Sequence, residues 1–310
     1  MQVAVIGLGD IARKAYLPIL SEQAGLDLIL FSRSAASVEQ VQGQYRIPLK
    51  ANSLEQVIQS RPAAAFVLTP RETHFEIIRR LLTADIDVFV EKPATLQAEQ
   101  TEQLADLADR RGRVLMVGFN RRFAPLHIKA RDLMEGHPVS VALFQKHRKN
   151  SRGSGLQEQL IEDTIHQIDL VRFYCGEGKA LSSVEDFRDG HLLGAVSTIR
   201  LESGGIAVIS ISLQAGAWSE TYSLHGTDQS LLVDAFSRAR LITPTGDQSW
   251  DETYASSWRT TLEGRGFKGE VDHFFECVSS RSQPLTSAWQ SVRTQQLLEQ
   301  LVAVSGSKGS

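Results

Sequence analysis

The chain has 310 residues, 42% of them hydrophobic, and a formal net charge of −3. That length points to two domains with a core each, and the slight acidic excess argues against nucleic acid as a partner. No apolar run reaches the length of a membrane span, no leader precedes the first strand pattern, and Cys175 and Cys277 have no C-x-x-C companion, so a reducing, cytoplasmic setting is expected.

Val3, Ala4, Val5 and Ile6 form an apolar run without polar alternation. Such a run suits a strand buried on both faces of a parallel sheet. Gly7-Leu8-Gly9 ends it, and Ile11, Ala12, Ala15 and Ile19 recur at helical spacing. Strand, glycine turn and helix are the context in which G-x-G-x-x-G, here with Ala12 in the third place, binds a dinucleotide. Gly7 lets the chain turn sharply. Gly9 lets backbone N–H groups approach a pyrophosphate. Ala12 lets the helix pack close to the strand. The stretch Gly7, Leu8, Gly9, Asp10 and Ile11 then presents a helix start to the anion. The alternative is a glycine turn in some other α/β protein.

Leu26 to Ser32 reads as the second strand, at whose end an acid commonly holds the ribose 2′-hydroxyl of NAD. Here that place is Ser32-Arg33-Ser34, and the nearest acid, Asp27, lies at the opposite end of the strand. An arginine between two hydroxyls favours a 2′-phosphate, hence NADP. The alternative is a solvated Arg33 and NAD. Ser53 is placed to cap a helix from Leu54 to Ser60, and Ala63 to Leu68 is another buried strand. Ligands of such sheets sit beyond the carboxyl ends of the strands, which puts Thr69, Pro70 and His74 on the ligand side; a histidine in the first turn of a helix is otherwise a structural residue. Thr73 is the expected cap of a helix through Leu82. Val88-Phe89-Val90 is the next strand and ends in Glu91-Lys92-Pro93. A lysine there can counter charge on a substrate oxygen, or can be a surface lysine. A helix from Thr95 to Arg111 and a strand from Val114 to Val117 follow.

Beyond Asn120, strand patterns outnumber helices: Val139 to Lys146, Leu193 to Leu201, Ile206 to Leu213, Thr221 to Leu224, Ser230 to Val233 and Arg240 to Ile242. Short turns between them, such as Glu202-Ser203-Gly204-Gly205, make an antiparallel sheet and an α+β half. Ala207, Ile209, Ile211 and Leu213 share one face, while Ile206 and Val208 make the other partly apolar. Leu160 to Tyr174 is an apolar helix carrying polar groups: Glu162 lies four before His166, Asp163 three before it and Asp169 three after it. Those spacings bring side chains together on one helix face, and a histidine held by a carboxylate can move a proton near neutral pH. A packed structural histidine is the other reading. Asn120, Arg121, Arg122, Lys146, His147, Arg148 and Asn150 could shape a pocket for an anionic substrate, or be solvated charges; Trp258, Arg265 and Phe267 belong to a further loop. Asp272 to Ser279 and Ala288 to Val304 are amphipathic packing helices, with a disordered tail expected from Ser305 to Ser310.

G-L-G-D-I-A, T-P-x-x-x-H, V-E-K-P and V-G-F-N-R-R-F-A-P, in this order, resemble the glucose–fructose oxidoreductase/inositol dehydrogenase/MocA family over essentially the whole chain. GFNRRFAPL, KHRKNS and TLEGRGFKGEVDHFFECV resemble its virulence-factor, MviM-like branch. The resemblance implies an α/β protein: a Rossmann-type parallel-sheet domain over 1–119, and an α+β domain over 120–310 whose mainly antiparallel open sheet binds substrate and packs on a second subunit. It also implies hydride transfer between NADP, or NAD, and a sugar, cyclitol or sugar-acid-like substrate in a crevice between the halves. Lys92 would stabilise the alkoxide, and His166 would be the catalytic base, with Asp169 matching the family's downstream acid. The upstream acid is usually aspartate four residues before that histidine. Here Glu162 stands there with Asp163 beside it, so which carboxylate orients His166 is open. A dinucleotide-binding sensor without turnover is the alternative function, and isomerisation or elimination through transient oxidation a third.

Overall fold

A computed structural model describes residues 1–149, 153–252 and 258–305; Asn150 and the tail 306–310 lie outside the described residues. The chain divides into two compact units, Met1–Asn120 with Phe267–Arg293, and Arg121–Gly266 with Thr294–Ser310.

The first unit is a six-stranded parallel sheet: β1 (Gln2–Ile6), β2 (Asp27–Phe31), β3 (Leu49–Lys50), β4 (Ala64–Val67), β5 (Asp87–Glu91) and β6 (Leu115–Gly118), in the order β3-β2-β1-β4-β5-β6. Val3 to Ile6 and Ala64 to Val67 are wholly buried, as expected of central strands covered by helices on both faces. The helices are α1 (Leu17–Glu22), α2 (Ala35–Tyr45), α3 (Leu54–Gln59), α4 (His74–Thr83) and α5 (Ala98–Arg111). A π-helical turn, Ala12–Tyr16, leads into α1. Strand order reverses between β1 and β4, and such a switch point opens a crevice beyond the carboxyl ends of the two strands. Gly7 stands there with φ +93°; a Cβ at that position would lie 2.6 Å from the Leu68 carbonyl oxygen, so both backbone angle and space demand glycine.

Local details depart from the sequence expectation. Ser53 does cap α3, accepting from the Gln56 N–H. Thr73 caps nothing: its hydroxyl bonds to Thr69 Oγ1 and the Pro70 carbonyl within a short 3₁₀ turn ahead of α4. The helix expected from Thr95 begins at Ala98, because the Thr95 hydroxyl is turned onto the Gln97 carbonyl and Thr101. Helix α2 was not anticipated; it buries only Val38 and Val41, too few for a readable apolar face.

The second unit carries an eight-stranded sheet ordered β14-β13-β12-β11-β7-β10-β9-β8. Its strands are β7 (Val139–Lys149), β8 (Gly178–Arg188), β9 (His191–Leu201), β10 (Ile206–Ala215), β11 (Ser219–Gly226), β12 (Gln229–Asp234), β13 (Arg238–Thr243) and β14 (Gly246–Asp251). Every neighbouring pair is antiparallel except β7 with β10. Edge strands β8 and β14 leave no readable alternation of buried apolar residues in the sequence: β8 buries only Ser183, and Val184 is 69% exposed. In β10, Ala207, Ile209, Ile211 and Leu213 are buried and the alternate residues half-buried, as the pattern required. Helices α6 (Pro125–Met134), α7 (Leu156–Gln159), α8 (Ile165–Cys175) and α9 (Thr261–Gly264) belong to this unit, α10 (Phe267–Ser280) to the first, and α11 (Ala288–Ala303) spans the division.

Candidate functional site

At the switch point of the parallel sheet lies a cavity of about 570 Å³. Its walls include Gly7, Leu8, Gly9, Ser32, Arg33, Thr69 and Pro70, all expected from the sequence, together with Leu54, Thr73, Ile77, Glu72, Glu76 and Arg80, which were not. The missed residues sit on α3, α4 and the turn before it, and only the fold brings those helix starts to the glycine turn. A Cβ at Gly9 would meet nothing within 4 Å, so the turn is open toward the cavity. That open, backbone-lined cradle fits a pyrophosphate at a helix start. At the end of β2, Ser32 and Arg33 line the wall, while the Ser34 hydroxyl accepts from the Ser37 N–H as the cap of α2. Asp10 turns outward to an exposed ion pair with Lys14 at 2.6 Å and does not line the cavity; neither does Ile11.

His74 is also placed off the cavity wall. It is 1% exposed, with Nδ1 2.9 Å from the Pro93 carbonyl oxygen and Nε2 2.8 Å from that of Thr69. Burial pushes its pKa below the ordinary histidine value, outweighing the two carbonyls that favour the charged ring. It thus ties the end of β4 to the turn after β5. Glu91 and Lys92 at that turn are half-buried, and the Lys92–Pro93 peptide bond is cis.

In the second unit, His166 stands in the first turn of α8, directly after a π-helical turn, Leu160–Thr164. The sequence spacing assumed an unbroken α-helix here. A π turn carries an extra residue and shifts the facing of whatever precedes it. Asp163 is held by Lys146 Nζ at 2.7 Å and by the Arg148 guanidinium, with Arg148 Nε at 3.0 Å; the Lys146 ammonium also donates to the Asp163 carbonyl at 3.1 Å. Burial would raise the Asp163 pKa, but the Arg148 hydrogen bonds and the Lys146 charge hold it at about 2. Burial, then the charge of Arg121, push Lys146 down to about 8. Glu162 is exposed.

The other candidate substrate cations are likewise engaged within the protein. Arg122 grips Asp169 in a two-pronged pair at 2.7 and 2.8 Å, and Thr294 adds a hydroxyl to the same carboxylate. Arg121 grips Glu220 at 2.6 and 2.9 Å. Asp169, expected one turn from His166, is 1% exposed and Arg122 is 4% exposed. The His147 ring accepts from the Ser212 N–H, and Asn120 is buried. Trp258 is 90% exposed, and the Arg265 guanidinium stacks over Phe236.

Residues 1–119 match the family model described as the oxidoreductase family with an NAD-binding Rossmann fold, Gfo/Idh/MocA. The YceM protein of Salmonella typhimurium, whose name calls it an oxidoreductase, is 32% identical over 97% of this chain and 97% of its own. The scyllo-inositol 2-dehydrogenase (NAD(+)) of Bacillus subtilis is 21% identical over 93% of this chain and 89% of its own. The solved structure of an MviM dehydrogenase from Clostridium difficile superposes with a TM-score of 0.88 at 24% identity, covering 98% of this chain and 99% of that one. Other solved structures of this fold hold NAD+ in one case and NADP in another. The chain belongs to the Gfo/Idh/MocA family of oxidoreductases.

Proposed function

We propose that this protein transfers a hydride between NADP and the CH–OH carbon of a sugar, cyclitol or sugar-acid-like substrate. The observation that carries the reading is the cavity at the β1/β4 switch point, whose wall joins an open glycine turn to Ser32 and Arg33. The cofactor, when bound, supplies the hydride acceptor or donor. Gly7, Leu8 and Gly9 provide the turn for its pyrophosphate, and Asp10 and Ile11 contribute through the helix start rather than through side chains on the wall; Thr69 and Pro70 form the facing wall. Arg33 meets a 2′-phosphate, with Ser32 and Ser34 beside it. NAD remains the alternative, as the name of the Bacillus subtilis relative would have it. His74 acts by holding the Thr69 and Pro93 turns in place.

In this reading residues 1–119 form the cofactor domain and 120–310 supply the substrate and oligomerisation domain, apart from Asn120 and Phe267–Arg293, which fall in the first compact unit. Lys92 stabilises the alkoxide that forms as the hydride leaves. His166 takes the hydroxyl proton and returns it in the reverse direction, a step worth about 10²–10⁴ in rate. Glu162 orients the ring. Asp163 anchors the π turn through Lys146 and Arg148, and Arg122 with Asp169 braces α8, so these five shape the substrate side, with Asn120 at the end of the first segment. Among the described residues no helix is long and apolar enough to cross a membrane, and we place the protein in the cytoplasm. The test is to incubate the protein with NADP+ or NAD+ and a panel of cyclitols, sugars and sugar acids, following reduced nicotinamide absorbance. Cofactor binding without reduction across the panel would favour the sensor reading.

A further inference from the structure

Tyr16, the last residue of the π turn ahead of α1, is wholly buried. Its ring meets Phe89 and Phe267 edge-on. Its hydroxyl lies 2.7 Å from Glu91 Oε1 and 2.9 Å from Glu270 Oε1. A phenol has one hydrogen to donate. It can serve one carboxyl; the second contact is a hydrogen bond only if the other carboxyl supplies the hydrogen. One of the two glutamates therefore carries a proton.

The surroundings decide which. Glu91 is half-buried, and its Oε2 accepts the backbone N–H of Lys92 at 2.9 Å, which suits an ionised carboxylate. Glu270 is 0% exposed, and its Oε2 has no hydrogen-bond partner among the described residues. A bare carboxylate oxygen in such a place is costly, whereas the carbonyl oxygen of a neutral acid is far less so. Burial, followed by the nearby charge of Glu91, pushes the Glu270 pKa well above the carboxylate range, in agreement with the hydrogen count.

We propose that Glu270 is a neutral carboxylic acid that positions Glu91 through Tyr16, and so holds the turn that carries Lys92. The hydrogen bonds run one way: Glu270 donates to the Tyr16 oxygen, Tyr16 donates to Glu91, and Glu91 accepts from Lys92 N–H as well. Glu270 and Tyr16 are positioning residues, and their link to turnover rests on the role of Lys92 proposed above.

The tests use Glu270→Gln, whose amide can still donate to Tyr16, and Tyr16→Phe, which removes only the hydroxyl. At neutral pH the infrared spectrum of the wild-type protein should show the carbonyl band of a protonated carboxylic acid, absent from Glu270→Gln. Amide hydrogen exchange at Lys92 should quicken in Tyr16→Phe and stay near wild type in Glu270→Gln. With an active substrate, kcat should fall on the order of 10- to 100-fold in Tyr16→Phe, with KM for NADPH little changed, and be retained in Glu270→Gln. A missing band, or exchange in Tyr16→Phe equal to wild type, overturns the proposal; so does a Glu270→Gln protein as impaired as Tyr16→Phe. The band and the exchange are read whether or not a substrate is known, so their failure is distinct from failure of the proposed reaction.

Discussion

Arg33 shows how much one position can decide. It was legible in the sequence because the strand before it is a plain apolar run and the acid that NAD sites prefer is missing. The structure puts it on the cavity wall beside Ser32. Hydrogen bonds to a charged group are worth about 1.5–3 kcal/mol, so Arg33→Asp should weaken NADPH binding on the order of 10- to 100-fold and leave NADH little affected. Titration of both cofactors by nicotinamide fluorescence checks this, and equal losses for both would contradict it. The substrate cations were less legible. Arg122 finds Asp169 and Arg121 finds Glu220, partners 47 and 99 positions away. Sequence spacing shows that a charge exists; it cannot show an ion-pair partner brought up by another element.

At the scale of elements, buried strands and glycine turns could be read directly, since each leaves a local pattern. The two π turns could not. Ala12–Tyr16 follows the glycine turn and Leu160–Thr164 precedes the helix that carries His166, and each shifts side-chain facing by a residue that periodicity does not reveal. The second is clamped by Lys146 and Arg148 through Asp163. Removing one member of a buried pair leaves its partner's charge uncompensated, at a cost of a few kcal/mol. Asp163→Asn should therefore lower Tm and also depress kcat through His166, with NADPH binding retained. The sign with pH is set: the Asp163 pKa falls from 3.8 in the unfolded chain to about 2 when folded. Its contribution is complete above the unfolded value and is lost as pH drops through the folded one. Denaturant unfolding should accordingly show the gap between wild type and Asp163→Asn closing as pH falls across that window. A gap independent of pH would refute the clamp.

For the molecule as a whole, the sequence conveyed two sheets of different kinds, and the structure has them. Among the described residues one face of the eight-stranded sheet stays open: Val141, Leu143, Val184, Val196 and Leu232 on it are 36–69% exposed. A contiguous apolar face of this sort marks an interaction surface. We propose that a second copy covers it, and sedimentation at micromolar concentration should give a dimer that Leu143→Asp dissociates; a monomeric wild type would exclude it. The proposed reaction depends on Lys92 and on His166. The most direct measurement is single-turnover nicotinamide absorbance with the active member of the substrate panel, run on wild type, Lys92→Ala and His166→Ala after NADPH affinity has been matched. The account predicts that both variants bind NADPH as wild type does while hydride transfer slows about 10²-fold or more in each. Transfer at the wild-type rate in either variant would contradict it.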